Sequence, residues 1–131
     1  MAWDKLGDSV QDVLLSIFRG LSGAISPIYG TLLSAVTGTG AGTAVDVSVL
    51  VPSNHTWAIQ VTGAVSVLRV DLEGALNDVD AQYGLLDSYE GTTSTLRTVS
   101  GKAARYVRAN VVSLTPDTGT PTVSAQYIGC P

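Results

Sequence analysis

The residues able to do chemistry are few. His55 is the only histidine of the 131-residue chain and Cys130 its only cysteine. A single imidazole with no serine or cysteine partner in view makes no nucleophilic constellation, and one thiol makes neither a disulfide framework nor a thiolate metal cluster. His55 is read as a surface-loop histidine and Cys130 as a reduced thiol. Asn54-His55-Thr56 has the form of a glycosylation acceptor. The first residues, Met1-Ala2-Trp3-Asp4-Lys5, lack the basic start of a secretory signal, so no such modification is expected. Asn77-Asp78-Val79-Asp80, with Glu73 and Asp87 nearby, offers oxygens of the kind Ca²⁺ takes, without the loop length and closing Glu of a calcium hand. Asp71, Glu73 and Glu90 are the carboxylates from which a glycoside-hydrolysing pair could be drawn. Aromatic residues make up only 6% of the chain, and no aromatic-lined cleft is in view. The inventory predicts no enzyme, no cofactor and no metal.

Composition narrows the class further. The chain is 45% apolar and 14% charged, which suits one folded domain and not a disordered tail. Seven Lys and Arg against eleven Asp and Glu give a net charge of −4. With no basic run anywhere, phosphate-mediated nucleic-acid binding is not expected. Arg69, Arg97, Arg105 and Arg108 alternate with acidic residues. They read as solvated strand faces with cross-strand ion pairs, or as contacts to acidic patches on a neighbouring subunit.

The elements that must position these residues fall into three stretches. Over residues 1–37, Trp3, Leu6, Val10, Val13 and Ile17 recur at spacings of three and four, which predicts an amphipathic helix. Ser26-Pro27 then has the form of a cap and first turn. A second short helix is predicted with Ile28, Leu32, Leu33 and Val36 as its apolar side. Arg19 is the only charge from Val13 to Val36, yet Pro27, the glycines and the serines count against a membrane span of about 20 apolar residues. The two stripes are read as a helical arm that packs on the body or on other copies of the chain.

Residues 38–44 read as a flexible Gly/Thr-rich connector. Its glycines follow a helical pattern and precede a strand, the wrong order for a phosphate cradle. From residue 45 to 131 the period becomes two. Val45, Val47, Val49 and Val51 share one side. Pro52-Ser53-Asn54 turns, and Trp57, Ile59 and Val61 form an inward row ended by Thr62-Gly63. Leu68, Val70 and Leu72 point inward, with Arg69, Asp71 and Glu73 outward. The change of phase near Val67-Leu68 predicts a bulge. Gly74 to Asp80 is turn-rich; Gln82–Tyr89, Leu96–Val99 and Tyr106–Leu114 are strands. Pro116-Asp117-Thr118-Gly119 reads as a tight turn before a last row of Val123, Ala125 and Tyr127. The chain is thus expected to be mainly β, an antiparallel β-sandwich or jelly-roll-like domain with an N-terminal α-helical arm.

Four stretches carry a family resemblance. They are Trp57-Ala58-Ile59-Gln60-Val61-Thr62-Gly63, Val70-Asp71-Leu72-Glu73-Gly74-Ala75-Leu76-Asn77-Asp78, Leu85-Leu86-Asp87-Ser88-Tyr89 and Ala104-Arg105-Tyr106-Val107-Arg108-Ala109-Asn110-Val111. Together they resemble the small β-sandwich modules of tailed-bacteriophage structural proteins, over residues 45–128. The sequence departs from that pattern at Ala75, where Ser is usual, and it lacks the aromatic that commonly follows the Asp turn unless Tyr83 stands in for it. The resemblance implies a non-enzymatic virion protein, most like a capsid decoration (cement) protein. Its partners would be the major capsid protein and itself, as a homotrimer, on the capsid exterior after synthesis in the host cytoplasm. Trp3, Leu6, Val10, Val13, Ile17, Leu32, Arg105 and Arg108 would then form the oligomer and shell interface. The same modules occur in tail and fibre parts and near sugar-binding modules. A host-attachment carbohydrate-binding module should present Trp or Tyr on an outer sheet face, whereas Trp57 falls in the inward row.

Overall fold

A computed structural model describes residues 26–131. The arm residues Trp3, Leu6, Val10, Val13 and Ile17 lie outside the described residues. The body is mainly β and antiparallel. Its strands are β1 (Ile28–Val36), β2 (Gly40–Ala41), β3 (Val45–Asp46), β4 (Asn54–Ala75), β5 (Gly84–Glu90), β6 (Thr95–Ser100) and β7 (Tyr106–Cys130), with a single 3₁₀ turn at Asp80–Gln82. All seven strands belong to one hydrogen-bonded sheet, in place of two separate sheets.

Two very long strands explain this. β4 has 22 residues and β7 has 25, against about 3–10 for an ordinary strand. They pair along their whole length, from Asn54 opposite Cys130 to Ala75 opposite Tyr106. The pairing slips at four places between Thr62 and Val70, including the bulge predicted near Val67-Leu68, and bulges bend a strand. Gly63 has φ +93°, and a Cβ there would come within 3.0 Å of Pro121 Cα. On one side of the bend β6 and β1 flank the pair; on the other, β5 flanks β4 while β2 and β3 flank β7. The sheet doubles over so that the two halves share one core. Trp57, Ile59, Val123, Ala125 and Tyr127 come from one half, and Val70, Leu72, Val107, Ala109 and Val111 from the other.

Several local expectations are corrected. The second helix is β1: Ile28 pairs with Gly129 and Val36 with Val123. Register shifts between Thr31 and Leu33 and between Leu33 and Val36, with Ala35 at φ +48°, break its alternation, so adjacent Leu32 and Leu33 are both buried. Two bulges therefore produce the spacing of a helical stripe. The strand expected over Val45–Val51 stops after Asp46: the amides of Leu50 and Val51 both donate to the Val47 carbonyl, leaving Val47 buried and Val49 91% exposed. Thr62-Gly63 does not end a strand, and Pro116-Asp117-Thr118-Gly119 does not reverse the chain. Ala64 pairs with Thr118 and Val65 with Pro116, inside the long β4–β7 pair. The 38–44 connector contains β2, and the Gly42 amide donates to the Ala109 carbonyl at 2.7 Å.

Candidate functional site

Of the predicted site residues that the structure describes, Leu32, His55 and Asp71 are buried, whereas Asn77, Asp78, Asp80, Glu90 and Arg105 are exposed. Period-two phase puts His55 on the same face of β4 as Trp57 and Ile59, and it is buried, not in a surface loop. Its Nε2 lies 2.6 Å from the Lys102 carbonyl, and its Nδ1 lies 2.5 Å from Tyr127 Oη. A carbonyl only accepts, so Nε2 carries the proton and Nδ1 accepts from the tyrosine hydroxyl. Burial pushes the imidazole pKa below its ordinary value, against the pull of the Lys102 carbonyl. Burial likewise raises Tyr127. The pair is a neutral strut that holds the 100–104 loop against the sheet.

Asp87 of β5 faces inward opposite Leu72. It accepts from Trp57 Nε1 at 2.9 Å and from Arg97 Nε and Nη2 at 2.8 and 3.1 Å. Burial works against its charge, and the bonds from Arg97 and Trp57 overcome this, holding the carboxyl below the usual range. Arg97, opposite Trp57 in the register, reaches this carboxylate from β6 with its side chain still 37% exposed.

The outer face of the β4–β5–β7 half is charged. Asp71 accepts from Arg69 Nε at 3.1 Å and Ser88 Oγ at 2.6 Å. Glu90 lies 3.8 Å from Arg69. Arg108 donates from Nε to Glu73 at 2.9 Å and from Nη1 to Asp80 at 2.7 Å, and its guanidinium lies 3.8 Å from the Tyr83 ring centroid. Tyr83 in turn donates to Asp78 at 2.7 Å, and Asn77 to Gln82 at 3.0 Å. The acidic turn and the three candidate carboxylates Asp71, Glu73 and Glu90 are therefore engaged by neighbouring side chains. No group of three His, Cys, Asp or Glu side chains among the described residues is placed to hold a metal. Asn54 donates to the Pro131 carbonyl at 2.6 Å. Of the expected interface residues, Leu32 is in the core, Arg108 is mostly covered, and Arg105 is exposed.

The outer face of the other half is of opposite character. The register of β6, β4, β7 and β1 sets out two rows: Leu96, Ala58, Gln126, Thr31 and Thr98, Thr56, Ile128, Tyr29. Neither row carries a charge. Thr31 donates to Gln126 at 3.1 Å, and the Thr56 and Thr98 hydroxyls lie 2.9 Å apart. Tyr29 and Leu96 are each 70% exposed. Between them runs a shallow groove of about 210 Å³ lined by Thr56, Ala58, Gln126 and Ile128. Sequence reasoning missed this face because Tyr29 was placed on a helix. The signal was the uncharged outward set Thr56, Ala58 and Gln60, against the charged outward set Arg69, Asp71 and Glu73.

No family model and no curated protein matches the chain. Solved structures match it in fold. The SPBc2 prophage-derived protein YomS superposes with a TM-score of 0.51 at 15% identity, over 79% of this chain and 94% of YomS. The PBSX exported protein XepA gives 0.52 at 15% identity, over 79% of this chain and 38% of XepA. What the chain shares with them is the antiparallel β fold. No helix among the described residues is long and apolar enough to cross a membrane.

Proposed function

We propose that the chain is a non-enzymatic structural protein of a phage virion, a decoration protein that binds and stabilises the outside of the capsid shell as a homo-oligomer. The observation that carries this reading is the uncharged outer face with Tyr29 and Leu96 standing 70% exposed, on a body whose acidic and basic side chains largely bond to one another. A fold of this kind works by offering surface. The fold shared with a prophage-derived protein supports a phage setting, and the sequence resemblance supports the shell as partner. The test is co-sedimentation with empty capsids: the purified protein is expected to pellet with the shells and to raise their melting temperature. Shells that leave it in the supernatant overturn the reading.

Tyr29 favours a second reading, a tail, fibre or host-attachment module that binds carbohydrate, because an exposed ring on a sheet face is what a sugar face stacks on. Retention on immobilised polysaccharide that Tyr29→Ala abolishes would support it over the first.

A further inference from the structure

We propose that residues 1–25 dock on the loop end of their own copy, across Val49, Val51, Lys102 and Arg105. The loops that meet there are tied by backbone bonds. The Val47 amide donates to the Arg105 carbonyl at 2.8 Å, Arg105 to Ala75 at 3.0 Å and Ala104 to Pro52 at 3.2 Å. They set Val49, Val51 and Leu76, all exposed, on one end of the body. Val51 is held there at φ +48°, a left-handed conformation that a β-branched residue rarely adopts. Strained residues of this kind gather at binding sites.

Position and charge select the occupant. Pro52 packs on Gly129, where an added Cβ would lie 2.8 Å from its Cγ, and Gly129 lies opposite Ile28. The chain that precedes β1 therefore joins the body one strand away from the Val51-Pro52 loop. Lys102 and Arg105 are exposed, and neither forms an ion pair with a described residue. The carboxylates of this end are already bonded: Asp46 accepts from Ser48 at 2.6 Å, and Asp78 from Tyr83 and Asp80 from Arg108 at 2.7 Å each. Its cations are thus the groups left to be matched. In sequence, residues 1–12 hold Asp4, Asp8 and Asp12 against one basic side chain, Lys5, with Trp3, Leu6 and Val10 among them. Opposite charge and apolar surface are paired on the two sides of the contact.

Carbodiimide cross-linking of the full chain, read by peptide mass spectrometry, is expected to join Lys102 to Asp4, Asp8 or Asp12 in a product of single-chain mass. Val49→Asp, and Lys102→Glu combined with Arg105→Glu, are each expected to speed tryptic cutting after Lys5 by about tenfold, since cutting follows the undocked fraction. Asp117→Asn, at the bend, is expected to leave that rate unchanged. All these side chains are exposed, so the variants should keep the wild-type circular dichroism. A link found only in a product of twice the chain mass overturns the proposal, because the segment then covers a neighbour. So does the absence of any such link, or cutting after Lys5 that neither variant speeds. Capsid binding is read separately: a chain that shows the intramolecular link and ignores shells overturns the decoration reading and leaves the docking standing.

Discussion

Trp57 donates its indole N–H to Asp87 across 2.9 Å, and the bond joins two halves of one folded sheet. Trp57 lies on the β6 side of the bend and Asp87 on the β5 side, with Arg97 closing on the same carboxylate. Asp87→Ala leaves a buried indole donor and a guanidinium without their acceptor and should cost about 3 kcal/mol. Trp57→Phe keeps an aromatic ring and loses one bond to a charged group, so about 2 kcal/mol is expected. Urea denaturation checks both, and equal costs would mean that packing, and not the donor, dominates.

Stability should fall with acid before the carboxylates titrate. The folded pKa of His55 lies below its ordinary 6.5, so the unfolded chain binds more protons between those two values. The contribution is complete above about 6.5 and is lost as pH falls toward the folded pKa. Thermal melts between pH 7.5 and 5 should show this decline, and His55→Gln should flatten it.

Two glycines of one connector should respond in opposite ways. A Cβ on Gly42 would lie 2.2 Å from the Leu32 carbonyl oxygen and 2.8 Å from Leu33 Cδ2, whereas nothing lies within 4 Å of one on Gly38. Gly42→Ala is expected to cost about 2 kcal/mol or more. Gly38→Ala is expected to stay within about 0.5 kcal/mol of wild type. Chemical denaturation of the two variants side by side decides it.

Arg108 anchors the acidic turn through Glu73, Asp80 and the Tyr83 ring. Arg108→Lys keeps the charge and loses the fork and the stacked plane. A cost of about 1–2 kcal/mol is expected, with faster limited proteolysis between Leu76 and Tyr83. Unchanged proteolysis would show that the turn is held by its own Tyr83–Asp78 bond.

Where alternation ran unbroken, the sequence displayed the fold plainly: Trp57 and Ile59, Val70 and Leu72, and the row Val123, Ala125 and Tyr127 all point inward as the period requires. The same period already aimed His55 inward, and only its place beside Pro52-Ser53-Asn54 suggested a loop. What stayed hidden came from bulges. Consecutive Leu32 and Leu33 cannot share a face in a regular strand, so a bulged edge strand has the spacing of a helix. Thr62-Gly63 and Pro116 to Gly119 have turn chemistry, but each spends it on bending a strand and not on reversing it. Which strands become neighbours is a long-range property, so no local pattern placed Asp87 against Trp57 or set Tyr29 in line with Ile128.

Ile28 lies opposite Gly129, so the start of β1 and the end of β7 lie at one corner of the body. Tension between those two points would peel the edge strand away one rung at a time instead of shearing the whole ladder at once. A cargo fused after Pro131 would hang beside the start of β1, with the bend at Gly63 and Pro121 turned toward the far side.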